Sequence, residues 1–407
     1  MKSYIQQLQS FALIILAILI QSATFGATYY SDPASKTVQL TNQPLEGGWG
    51  TTASGPFNQQ VTIKIGDQVV IQEGSVVTIP ISGQSINIIQ FAGGTLVVAA
   101  GSFNCVGSIM GKGILTNAPD NATRIKMQGN NKNINAVLTG GGGLTIAKHV
   151  ALAGNTSISG RISIDAEASL DLGNYSLSID NLIMKNNTAL MQGSDLASLE
   201  IKSATPNSSS LYMDSGKNHL GTLVLDNAGG IVVGGGLQVN NLVLTNGKMN
   251  LTAGNLKVKN ITGGSPTSFI ATEGNSSVSA DVAAGATFLF PIGAVNEKKS
   301  ASLDAVSVTP TQASTFTVAV KTTLSNEPAN ASKVGKREWS VTSSQPSETK
   351  ITFSPKYPSG TKKHAIGLYT LGVWTEISAT RNENNFTATT NTFGLFATGD
   401  QGGFVAN

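Results

Sequence analysis

Two carboxylates, Asp165 and Glu167, stand two residues apart in the run 161–180 (RISIDAEASLDLGNYSLSID). A pair of acids about 5 to 10 Å apart is what glycoside hydrolysis needs, one to protonate the leaving oxygen and one to act as base or nucleophile. On a strand, a spacing of two would put both on one face. Arg124 and Lys126 share that spacing and would supply the base and the cation of a polysaccharide lyase. Both pairs read more simply as solvated strand faces, so no catalytic residue is expected and Asp165 with Glu167 is the weak alternative. His149, His219 and His364 are scattered and no Gly-x-Ser-x-Gly elbow occurs, which argues against a Ser-His-Asp set. Cys105 is the single cysteine; it lies in an apolar run with Phe103 and Val106 and reads as a buried core thiol, with no intrachain disulfide open to it. The four glycines 140–143 lack the Lys-Ser/Thr and the helix of a phosphate loop and read as a corner. No Cys/His pairing or calcium-repeat spacing occurs, so neither a metal nor a cofactor is expected.

Whatever positions these residues must be built mainly of strands. The chain of 407 residues is 40% hydrophobic, enough for a core, yet only 12% charged and rich in glycine, with 45. That profile suits short strands and tight turns rather than helices with long charged faces. The net charge of +3 is small, and the densest basic runs are Lys298–Lys299 and Lys362–Lys363, so a nucleic-acid partner is not expected.

An internal repeat organises the middle of the chain. Residues 222–240 (TLVLDNAGGIVVGGGLQVN) align without a gap on 241–259 (NLVLTNGKMNLTAGNLKVK), bringing Leu223, Leu225, Leu237 and Val239 onto Leu242, Leu244, Leu256 and Val258. Looser copies precede it, with apolar residues spaced by two: Ile162 and Ile164, Leu170 and Leu172, Leu177 and Ile179. Toward the N-terminus the pattern runs through Val69, Ile71, Val77, Ile79, then Ile86, Ile88, then Leu96, Val98, then Ile109, Ile114. This is strand periodicity with one buried face, broken by Gly or Asn at bends. A unit of about 19 residues made of such strands cannot bury its apolar face or pair its backbone edge alone, so the units must stack. The fold expected is all-β: a parallel β-helix, or β-solenoid, over 61–285, followed by a small antiparallel β-sandwich over 286–407.

Residues 27–60 are expected as an N-terminal cap, with Trp49 packed over the first coil or, alternatively, presented as a stacking platform for sugar. Tyr175 and Tyr212 are the other candidate carbohydrate contacts. From Phe288 onward strands lengthen and aromatics multiply, and Trp339, Phe353, Trp374 and Phe396 are expected to form the sandwich core. At the other end, Lys2, the apolar block 11–20 and the small, polar 21–27 have the layout of a signal peptide over 1–26, cut after Gly26. Ten apolar residues are too few for a membrane span, which needs about twenty.

Segments such as LVLTNGKMNLTAGNLKVKN, FPIGA, REWSV, LYTLGVWTEI and FGLFATGD together resemble secreted and cell-surface proteins of the Bacteroidota, in which a β-helical stalk precedes a β-sandwich. The N-terminal part, with Trp49, Gly66, Asp67 and Gly74, is loosely similar to the extracellular domain named for its eight glycines. The resemblance implies an extracellular, adhesive or matrix role and brings no catalytic residues with it. The function expected is that of a non-catalytic structural or adhesive surface protein, with a surface or matrix polysaccharide, or a second copy, as partner. A polysaccharide hydrolase or lyase, or a carbohydrate-binding module, is the alternative.

Overall fold

The computed structural model describes residues 26–35, 38–40, 47–58, 66–80, 85–99, 102–117, 124–203, 209–295, 301–355 and 364–405. The expected signal peptide therefore lies, but for Gly26, outside the described residues. The chain divides into two compact units, Met1–Val150 and Ala151–Asn407.

In the first unit, parallel pairing links Thr28–Ser31 to Gln68–Gln72, then to Ile88–Val98, Ile109–Asn117 and Lys132–Thr139. A second line runs through Ser85–Ile86, Ser102–Cys105, Arg124–Met127 and Leu144–Ile146. Val69, Ile71, Val77, Ile79, Leu96, Val98 and Ile109 are buried, as their alternation demands. Two positions fall out of phase. Asn87 bends the chain, so that Ile86 and Ile89 point inward rather than Ile88. Ile114 lies 39% exposed while its neighbour Leu115 is buried, because the strand shifts register between Ala92 and Thr95 of its partner.

The stretch 27–60 contributes to these coils as well as covering them. Val38–Gln39 lies parallel on Val76–Ile79, while Trp49–Gly50 turns back antiparallel on Tyr30 and Ser31. Trp49 is fully buried and its Nε1 donates to the Gln39 carbonyl at 2.9 Å. The indole thus seals the first coil, and its ring is closed to any sugar.

In the second unit, Thr156–Ile164, Ser176–Met184, Ser198–Ser203, His219–Asn227, Leu237–Asn246, Asn255–Gly263 and Ser277–Val282 pair in parallel, each with the next. A second parallel sheet is formed by Ser209–Tyr212, Ile231–Gly234, Met249–Ala253, Ile270–Thr272 and Ile292–Val295. The repeat read from sequence is the register of the stack. Leu223 pairs with Leu242, Leu225 with Leu244, Leu237 with Leu256 and Val239 with Val258, all buried. Asn241 and Asn260, 19 residues apart, hydrogen-bond across coils at 3.2 Å. The corner at Gly247 needs glycine twice over: its φ is +82°, and an added Cβ would collide with the carbonyl oxygen of Asn227.

Parallel pairing passes residue 285, the boundary expected from composition, and ends at Ile292–Val295. There the chain changes direction and covers the open edges itself. Ser314–Lys321 lies antiparallel on the free side of Ser277–Val282, and Ala301–Leu303 does the same for Ile292–Val295. From Ser314–Lys321 one antiparallel sheet continues through Glu338–Ser343, Gly394–Asp400, His364–Thr370 and Val373–Ser378. The opposing sheet consists of Phe288–Phe290, Ala305–Pro310, Thr349–Ser354, Asn385–Thr390 and Thr380–Asn382. Between the sheets Phe353 sits 4.9 Å from Trp339 and 5.2 Å from Phe396, centroid to centroid. Trp374 belongs elsewhere, to a cluster with Val334, Ala365, Ala397 and Phe404, because its strand lies at the sheet margin. The buried Asp304 carboxylate accepts from Arg337 Nε at 2.8 Å while its backbone carbonyl accepts from Trp339 Nε1 at 2.9 Å.

Leu242, without exposed surface between Leu223 and Ile261, is the sharpest test of this register. Leu242→Asp places an unpaired carboxylate between coils and is expected to cost several kcal/mol in urea unfolding. Lys248→Ala is expected to cost only about 0.5–1 kcal/mol, the worth of its ammonium 5.4 Å above the Phe269 ring.

Candidate functional site

On the coil sheet of the second unit, inward leucines and valines alternate with side chains that must face out. Register makes these outward positions into rows. His219 pairs with Gln238, and Gln238 with Lys257, so imidazole, amide and ammonium follow one another up the stack. Two residues further along the same strands lie Asn240 and Lys259, followed by Asp281 on the last coil. These two rows, with Asp195 at one end, line a groove of about 150 Å³.

The groove is tied together by polar contacts. Lys257 Nζ lies 3.0 Å from Asp281 Oδ2, and Thr315 Oγ1 donates to Asp281 Oδ1. Hydrogen bonds from Thr315 and then Lys257, with the charges of Lys257 and Lys259, outweigh partial burial and hold the Asp281 carboxyl below the ordinary carboxylate range. At the other end His219 Nδ1 is 3.2 Å from Asp195 Oδ1, and Asn240 Nδ2 donates to the Asp195 carbonyl at 3.4 Å. Asp281 also borders a larger cleft of about 450 Å³ at the seam between last coil and sandwich, lined by Ala283, Ser314, Thr315, Ser344 and Gln345 among others. Carboxylate, amide, ammonium and hydroxyl groups at adjacent positions can together donate to and accept from a ligand dense in hydroxyls.

A second set of polar side chains clamps earlier coils. Lys217 Nζ reaches Asp171 Oδ2 at 2.8 Å and Gln192 Oε1 at 3.1 Å, and Gln192 Nε2 donates to Asp214 Oδ2 at 2.9 Å. Burial of Asp171 raises its pKa, but the hydrogen bonds from Lys217 and the Gly173 N–H, with the Lys217 charge, prevail and lower it.

The residues singled out from sequence fall elsewhere. Asp165 and Glu167 are not on a strand: Thr156–Ile164 ends before them, and Glu167 sits in a turn with φ +61°. The shared strand face expected for a hydrolase pair is therefore absent. In the first unit Arg124 and Lys126 belong to Arg124–Met127, whose Ile125 and Met127 are buried. Tyr175 is 39% exposed at the turn leading into Ser176–Met184. Tyr212 ends a strand of the other sheet, its ring packed over Gly234, where an added Cβ would strike it. The two rings thus do not form a platform. Cys105 is buried as expected, and burial pushes its thiol up to about 12.

His219, Gln238 and Lys257 were not singled out together, though the sequence carried part of their signal: Gln238 and Lys257 occupy equivalent places in the aligned repeats, and His219 stands one repeat length before Gln238. Asp195 and Asp281 lie outside the aligned pair of repeats and only the folded stack brings them to the groove.

Lys257→Met and Thr315→Val should each raise the Asp281 pKa, read by carbon-detected NMR titration of the carboxyl. A carboxylate held low by folding stabilises the native state above its unfolded pKa, about 3.9. That contribution is lost as pH falls through the folded value, so both variants should show a weaker acid limb of stability. No family model matches this chain, and neither does any curated protein or solved structure.

Proposed function

We propose that this chain is an extracellular structural or adhesive protein of the cell surface or matrix, secreted through its N-terminal segment and acting without catalysis. The observation that carries this reading is the pair of hydrogen-bonding rows His219–Gln238–Lys257 and Asn240–Lys259–Asp281, held at fixed spacing by the coil register. Strand-to-strand separation of about 4.8 Å repeats along each row, and the rigid coils beneath keep the side chains in place. Such a face suits contact with a polysaccharide, or lateral association with a second copy, by many weak bonds made at once.

The Asp195–His219 contact beside Lys257 favours the second reading, a polysaccharide-active enzyme. There Asp195 would orient the imidazole as a base and Lys257 would receive the charge that develops on the substrate.

One experiment separates the two. The purified chain is incubated with a panel of plant and microbial polysaccharides, and both retention on the polymer and release of new chain ends are measured. Retention without new chain ends is expected. Release of reducing or unsaturated ends that disappears in His219→Ala would replace the adhesive reading with the enzymatic one. N-terminal sequencing of the exported form is expected to begin at Ala27, and a form retaining Met1 would overturn the secretory reading.

A further inference from the structure

We propose that the groove from Asp195 to Asp281, continued past Thr315 to Gln345, takes an uncharged, polyhydroxylated sugar chain rather than an acidic one. This rests on the adhesive reading and adds the ligand class. Formal charges in the groove cancel: Lys257 and Lys259 are opposed by Asp195 and Asp281, and Lys257 with Asp281 forms a direct pair. A polyanion would meet two carboxylates in the groove itself, and the unbalanced basic stripe that binds such polymers is missing from it. What the walls offer instead is paired donors and acceptors, namely the amides of Gln238, Asn240 and Gln345 and the hydroxyls of Ser314 and Thr315. Vicinal diols are met by such groups two hydrogen bonds at a time. Asp281 borders both cavities, so a chain too long for the first continues into the second at this residue.

The test is affinity electrophoresis of the full chain in gels containing a soluble neutral β-glucan, a neutral xylan or polygalacturonate. Retardation by a neutral polymer and none by polygalacturonate is expected. Asp281→Asn leaves the groove with one positive charge in excess; it should weaken the neutral interaction about tenfold, the worth of a hydrogen bond to a charged group, and confer retardation by polygalacturonate. Gln238→Ala should weaken neutral binding without that switch, and Lys350→Ala, exposed on the sandwich, should change nothing. Wild-type preference for polygalacturonate, or groove variants that bind as the wild type does, would overturn the assignment and leave adhesion standing. Absence of retardation by every polymer would overturn the glycan-adhesive reading along with it.

At the start of the first unit, a different contact leads us to infer that cleavage after Gly26 creates an ion pair that locks the first coil. The Ala27 nitrogen lies 3.0 Å from Oδ1 of Asp67, a carboxylate only 7% exposed. The Ala27 carbonyl accepts from Gln68 N at 3.0 Å, and Thr28–Ser31 pairs onward with Gln68–Gln72. Hydrolysis by an export peptidase gives the hydroxyl of water to the Gly26 carboxyl and leaves Ala27 with an amine, which takes up a proton. A neutral amide facing Asp67 becomes an ammonium, and the bond becomes charge-assisted at both ends. Processing would thus strengthen the contact that seats the first strand, in addition to removing the leader.

Chains 27–407 and 26–407, differing by one residue, test this by thermal melting of each, with and without the substitution Asp67→Asn. The chain beginning at Ala27 should melt about 2–4 °C higher, and Asp67→Asn should erase the difference. Equal melting of the two starts, or a difference that survives Asp67→Asn, would overturn the ion pair. An exported form whose N-terminus maps away from Ala27 would overturn the cleavage site beneath it.

Discussion

A coil of short parallel strands leaves every backbone N–H and C=O on its upper and lower edges without an internal partner. The neighbouring coil supplies those partners, and the rest of this structure follows from that requirement. It compels register, since Leu223 can pair with Leu242 only if Leu225 also pairs with Leu244 on the same ladder. It compels burial, since register stacks leucine on leucine into one column. It also compels an ending, because the last edge stays open until something pairs with it. Here the chain supplies its own closure, with Ser314–Lys321 laid on Ser277–Val282 and Trp49–Gly50 laid on Thr28–Ser31.

How much of this was legible in the sequence varied with the directness of the physical link. Where two coils have equal length, the apolar alternation of 222–240 and 241–259 is the pairing register itself, and the core residues could be named in advance. Where coils differ in length or bend within a strand, parity is lost. Asn87 and the register shift opposite Ile114 each turned an expected core residue outward, and nothing in the local composition announces a shift of one residue. The acids at 165 and 167 failed for a related reason: a turn with a left-handed residue at Glu167 had the same spacing on paper as a strand. Trp49 among glycines was correctly placed at the first coil, but whether its ring faced in or out was decided by Gln39, a distant acceptor.

The groove was the hardest feature to read, because it is made by lateral neighbours. Its residues come from different coils, and the rows that matter run across the chain rather than along it. Chemistry in this fold belongs to columns, and a column is visible only once the repeat is laid out line beneath line. That layout would have brought His219, Gln238 and Lys257 together; Asp195 and Asp281 needed coils of unequal length to be stacked in space.

The strand Ser277–Val282 has a parallel neighbour on one side and an antiparallel one on the other. That double pairing makes it the junction at which parallel stacking gives way to antiparallel pairing in the second unit. A coil gained or lost upstream would still leave parallel edges to pair with each other, whereas the coil that meets the sandwich also carries an antiparallel neighbour. A change in coil number before Asp195 would lengthen or shorten the stack while the groove, assembled from the coils next to the seam, kept its distance from the terminal module. Stack length and groove are therefore separable features of the second unit.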